Sequence, residues 1–107
     1  MQPFTQRIIH TIRSIPRGCV MSYGQIAKCA GNPRAARQVA RVLHSLSDKY
    51  DLPWHRVVNA KGAIVIKDSI AQHTQKSLLE EEGIVVINNK ISLKDYQYID
   101  PPIFEDG

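Results

Sequence analysis

The sequence predicts a mainly helical domain with short β segments, built as a winged helix-turn-helix. Three observations predict it. Two helix patterns meet at Gly31-Asn32-Pro33, a β-branched run follows a Pro53-Trp54 turn, and an amphipathic helix precedes both. At 107 residues the chain suits one small domain with a modest core, so residues 1–107 read as a single unit.

Phe4, Ile8, Ile9, Ile12 and Ile15 recur at helical spacing, so residues 3–15 predict an amphipathic helix stopped by Pro16 and Gly18. Ser22 with Gln25 three residues on forms a capping box that opens a short helix over residues 23–30. Gly31 ends it. Asn32 caps the next helix and Pro33 occupies its first turn; running to about Leu46, it is the candidate recognition helix. On it Arg34, Arg37 and Arg41 form one basic stripe, while Val39, Val42, Leu43 and Leu46 face the core. Ala35 and Ala36 are small enough to let the helix backbone approach a groove closely.

Residues 47–52 read as a polar connection. Residues 56–66, broken at Asn59-Ala60-Lys61-Gly62, predict a hairpin wing. A helix follows over residues 70–82, ended by Gly83, and Asn88-Asn89 joins 84–87 to 90–93 in a second hairpin. From about residue 99 an acidic tail is expected to be loosely held.

Charge is polarised along the chain. Residues 1–67 hold 11 Lys/Arg against 2 Asp/Glu, and residues 68–107 hold 3 against 8. A polyanion on the N-terminal two-thirds is the natural partner, and with a helix-turn-helix that polyanion is nucleic acid. No apolar run reaches membrane-spanning length, and the first residues lack a signal-peptide core. Cys19 and Cys29 suit free thiols, and no Cys/His cluster has zinc spacing, so neither metal nor cofactor is expected. With no added dimerisation segment, a monomer is expected.

Pro53-Trp54-His55-Arg56-Val57-Val58 carries the most information. A Cys at position 54 beside His55 would read as an activated thiolate. The indole of Trp54 instead offers a flat wall and one N–H donor, with no lone pair able to attack carbon. This motif resembles the Pro-Cys-His-Arg-Val active-site motif of the O6-alkylguanine-DNA alkyltransferases, with the exchange seen in their non-transferring alkyltransferase-like relatives. Ile15-Pro16-Arg17-Gly18, residues 22–27, residues 31–37 and residues 78–83 fall in the same family order.

The resemblance implies an alkyltransferase C-terminal fold and a role without catalytic residues. It implies a non-enzymatic protein that docks in the minor groove and flips an O6-alkylguanine out of double-stranded DNA. The lesion would then be marked for repair, with nucleotide excision repair proteins as the implied partners. Ser22, Tyr23, Arg34, Ala35, Ala36, Arg37 and Arg41 would contact DNA, with Arg37 filling the vacated stack and Tyr23 pressing on the target phosphate. Tyr23, Trp54 and Val57 would line the lesion pocket. His55 and Glu82 match a proton relay that has no thiol to serve here, so they should persist as structural partners.

Two departures stand out. No Asn supports the relay upstream of the motif, and Lys67-Asp68-Ser69-Ile70 replaces a Tyr-Ser-Gly-Gly lid, which implies a roomier pocket. Two other readings remain: a residual alkyltransferase or hydrolase using another nucleophile, and a helix-turn-helix transcription regulator. Either way the expected location is where the genome lies, the cytoplasmic nucleoid of a bacterium or a nucleus.

Overall fold

The computed structural model describes residues 3–99, 101, 103 and 104. Helix α1 spans Pro3–Arg13 and buries Ile8, Ile9 and Ile12, the stripe that its periodicity marked. Each such side chain contributes about 1.5–3 kcal/mol by leaving water. The Arg13 guanidinium donates to the Tyr50 carbonyl at 2.7 Å, which ties the end of α1 to a distant helix.

Strand β1, Met21–Ser22, leads directly into α2, Tyr23–Cys29. Ser22 accepts from the Gln25 N–H, but the Gln25 side chain does not return the bond. It donates to the Tyr98 carbonyl and accepts from Gln97, so the box is half formed and the spare amide holds the C-terminal segment.

Helix α3 spans Ala36–Tyr50, which moves both of its predicted ends. Asn32 Oδ1 accepts from the Arg34 N–H, and the Ala35 N–H donates to the Asn32 carbonyl, so residues 32–35 form a separate turn. Asn32 therefore caps a turn rather than a helix. Residues 47–50 extend α3 instead of forming a connection, and Asp51 closes it at φ +50°.

A 3-10 turn, Trp54–Arg56, precedes strand β2, Val57–Val58. The expected hairpin wing is absent. β2 pairs in parallel with β1, Met21 opposite Val57 and Ser22 opposite Val58, with α2 and α3 as the crossover. Residues 59–63 do make a tight turn, because Asn59 Oδ1 takes the N–H groups of Lys61 and Ala63. Its far side then bonds residues 87–91, through Ile64 N–H to the Asn89 carbonyl and Ile91 N–H to the Gly62 carbonyl. A Cβ on Gly62, at φ +81°, would meet the Ile91 carbonyl oxygen at 2.2 Å, so this close approach requires glycine.

Helix α4 spans Ser69–Glu81, capped by Asp68, and Gly83 follows at φ +84°. The Asn88-Asn89 turn is present, both residues at positive φ, with a single Ile87–Lys90 bridge on either side. A short helix α5, Leu93–Tyr96, begins on the last residue of the expected hairpin, Leu93.

Two apolar clusters share the work of the core. Alternation along the strands sends Met21 and Val57 into the first, with α1, α2 and α3. Val20 and Val58 face the second, with Ile64, Leu79, Ile84, Val86 and Ile91. In the acidic tail, residues 100, 102 and 105–107 lie outside the described residues. Phe104, within that tail, makes contacts with the helices. Its N–H donates to the Cys29 carbonyl at 2.7 Å, and its ring meets His10 edge-on at 5.3 Å with Arg7 above it. Among the described residues no helix is long and apolar enough to cross a membrane.

Candidate nucleic-acid interface

A cleft of about 470 Å3 opens between α2, α3, the 3-10 turn and the start of α4. Tyr23 and Trp54 both line it, as expected, and its size falls within the range of about 300–1,000 Å3 common for small-molecule sites. Tyr23 is the first residue of α2, placed by the Ser22 cap, and is half-buried. Burial raises its phenol pKa, so the hydroxyl keeps its proton and remains a donor.

The segment carrying Trp54 is clamped from three sides. The buried Leu52 anchors it through an N–H bond to the Ser47 carbonyl, and the Trp54 N–H donates to the Leu52 carbonyl at 2.8 Å. From α4 the buried Gln75 amide donates to the carbonyls of His55 at 3.1 Å and Val57 at 2.9 Å. The backbone of the turn is thus fixed, and the indole stands half-exposed on the cleft wall.

Behind that wall lies Glu82. Its carboxylate is 4% exposed and accepts from the Gly18 N–H at 2.7 Å, from Arg56, and pairs with His55 Nε2 at 2.6 Å. Arg56 also donates to the Ile15 carbonyl at 2.9 Å. Burial alone would raise the Glu82 pKa. The bonds from Arg56, Gly18 and His55, with the Arg56 charge, outweigh it and hold the carboxyl at about 2. The two residues that the sequence named together, His55 and Glu82, are in direct contact. Arg56, which the motif had only named, is the third member and joins the loop after α1 to α4.

Several predicted contacts move. Ser22 is buried with its oxygen occupied by the cap, so it places Tyr23 and does not face a partner. Ala35 is buried in the first core cluster, while Ala36, half-buried, starts α3. Val57 lies in the core at 2% exposure and does not line the cleft; strand alternation turns it away. Arg34 sits in the turn before α3, so the helical basic stripe is Arg37 and Arg41 alone, one turn apart.

All three arginines are exposed, with no side-chain partner among the described residues. The N-terminus of α3 has no side-chain cap, which leaves its first N–H groups available to an oxyanion such as a phosphate.

Ile66, Asp68 and Ala71 close the cleft where the lid motif was missing. The opposite wall is Ala40, Leu43, His44, Ser45, Ser47 and Asp48, on turns of α3 that the pattern had ended early or assigned to the core. The apolar spacing of Leu43, Leu46 and Tyr50 was the available signal for the longer helix.

Arg37 and Arg41 should separate under mutation. Arg37→Ala is expected to speed dissociation from lesion DNA, because a vacated stack tends to re-close when nothing fills it. Arg41→Ala should weaken damaged and undamaged duplexes alike and lower the salt slope by about one unit. Stopped-flow dissociation on matched duplexes measures both. Equal losses on both duplexes from both variants would make Arg37 a phosphate contact only.

Comparison with known proteins agrees with this geometry. Residues 3–84 match the family model described as the DNA-binding domain of 6-O-methylguanine DNA methyltransferase. The chain is 43% identical over 95 residues to the Escherichia coli DNA base-flipping protein, covering 89% of this chain and 74% of that one. It is 36% identical over 104 residues to alkyltransferase-like protein 1 of Schizosaccharomyces pombe, covering 92% and 96%. A crystal structure of Schizosaccharomyces pombe Atl1 in complex with damaged DNA containing O6-carboxymethylguanine superposes with a TM-score of 0.84. It is 35% identical and covers 94% of this chain and 98% of that one. By sequence and by fold, this chain belongs to the DNA-binding-domain family of the 6-O-methylguanine DNA methyltransferases, among its alkyltransferase-like and base-flipping members.

Proposed function

We propose that the chain is a DNA-lesion reader that binds double-stranded DNA at an O6-alkylated guanine and transfers no alkyl group. One observation carries this reading: Trp54 lines the cleft, and the resemblance of its motif to Pro-Cys-His-Arg-Val implies that the active enzymes have their acceptor Cys at this position. An indole carbon or N–H cannot displace an alkyl group, but its face can hold an extruded base. Extrusion costs a few kcal/mol, less for a weakened pair, so alkylation itself contributes to selectivity.

Other features support the same reading. Exposed Arg37 and the uncapped start of α3 offer cationic and N–H contacts to a phosphate backbone next to the cleft. His55 Nε2 is paired with Glu82, as in a proton relay, but with an indole at position 54 there is no thiol beside it to deprotonate. The family includes a protein named for base flipping and one solved on damaged DNA. A monomer holding the lesion in the nucleoid or nucleus would mark it for another pathway, nucleotide excision repair being the one the family resemblance implies.

The test is a titration of duplexes that differ only in one O6-methylated guanine, with intact mass of the protein afterwards. Tighter binding of the modified duplex, unchanged protein mass and unchanged DNA are expected. A 14 Da gain on the protein, or loss of the methyl group from DNA, would make the chain an enzyme. Equal affinity for both duplexes would favour a sequence-reading regulator.

A further inference from the structure

The cleft that holds Tyr23 and Trp54 is acidic. Asp48 and Asp68 line it, and among the described residues no Lys or Arg does. Asp48 is exposed on the last turn of α3, and its carboxylate has no hydrogen-bond or ion-pair partner among the described residues. Asp68 is partly committed: one oxygen accepts from the N–H groups of Ile70 at 2.8 Å and Ala71 at 3.3 Å, capping α4. The positive end of that helix offsets part of its charge. Asp48 therefore carries the uncompensated negative charge of the cleft. Lys67, next in sequence to Asp68, is exposed and does not line the cleft.

We propose that Asp48, supported by Asp68, makes this cleft select O6 adducts by charge, admitting neutral and cationic alkyl groups and disfavouring anionic ones. The inference rests on the lesion-binding reading above. A negative adduct placed against Trp54 would share a cavity only about 470 Å3 in volume with both carboxylates. Two like charges about 7 Å apart at an effective dielectric of about 40 repel by roughly sevenfold in affinity. A neutral adduct of the same shape avoids that repulsion, and a cationic one reverses it.

The experiment compares three duplexes identical except for the adduct: O6-carboxymethylguanine (anionic), O6-carbamoylmethylguanine (its neutral isostere) and O6-(2-aminoethyl)guanine (cationic). At one pH and salt concentration, the wild-type protein should bind the carbamoylmethyl duplex about fivefold to tenfold tighter than the carboxymethyl duplex. The aminoethyl duplex should bind at least as tightly as the neutral one. Asp48→Asn combined with Asp68→Asn should bring the neutral-to-anionic ratio below about twofold; Asn still caps α4, so the fold is kept. Asp48→Asn alone should account for most of the change.

Equal affinities in the wild type, tighter binding of the anionic adduct, or an unchanged ratio in the double variant would each overturn the charge selection. If all three lesions bind better than an unmodified duplex, such a result overturns this inference alone. If no lesion is preferred over unmodified DNA, the lesion-binding reading falls and this inference with it.

Discussion

Glu82→Ala is expected to cost about 3–5 kcal/mol of folding stability, the usual consequence of removing one partner from a buried ion pair. The loss is large because Glu82 is a junction. Its carboxylate holds the Gly18 N–H, the His55 ring and the Arg56 guanidinium, which ties the loop after α1 and the 3-10 turn to the end of α4. Without it, Arg56 at 17% exposure is left as a nearly buried charge whose only remaining partner among the described residues is the Ile15 carbonyl. Since small domains are stable by about 5–15 kcal/mol in total, this variant should be close to unfolded under mild denaturant.

The pH dependence has a definite sign. Glu82 has a folded pKa of about 2, below its ordinary value of 4.5, so its stabilising effect is present above about pH 4.5. It is lost as pH falls from there toward 2. Urea melts of wild type and variant at a series of pH values should therefore converge on the acid side. A constant gap between them down to pH 2, or a loss under 1 kcal/mol at pH 7, would remove Glu82 from the centre of the fold.

Trp54→Ala is expected to weaken binding to O6-alkylguanine duplexes by about 1–3 kcal/mol, the range for removing an aromatic partner from a stacked base. Binding to undamaged DNA should change much less, because on the proposed reading the phosphate contacts shared by both duplexes come from Arg41 and the start of α3. The side chain is only half-buried, and the clamp by Leu52 and Gln75 acts on backbone atoms. Truncation should therefore leave the turn in place. Paired titrations and a thermal melt decide the matter. Equal losses on both duplexes with a lower melting temperature would make Trp54 a packing residue first.

What the sequence by itself determined was whatever depends on neighbours along the chain. Helical spacing of the isoleucines placed α1, Ser22 placed the start of α2, and Asn88-Asn89 placed a turn, because periodicity, caps and turn residues act over a few positions. Identity at position 54 decided the chemistry there, since an indole has no ionisable thiol with which to take an alkyl group. Tertiary structure decided the rest.

The supposed wing strand pairs with β1, over 30 residues earlier, because a β-branched run satisfies its backbone on whichever partner the core brings to it. Val57 reads as a pocket residue beside Trp54, yet strand alternation turns it into the core. Nothing in the motif shows that Arg56 and Glu82 meet, that Gln75 reaches across to the Trp54 turn, or that Asp48 faces the same cleft as Asp68. Those pairings join residues separated by 18 or more positions, and only the packing of α3 and α4 around the cleft brings them within reach.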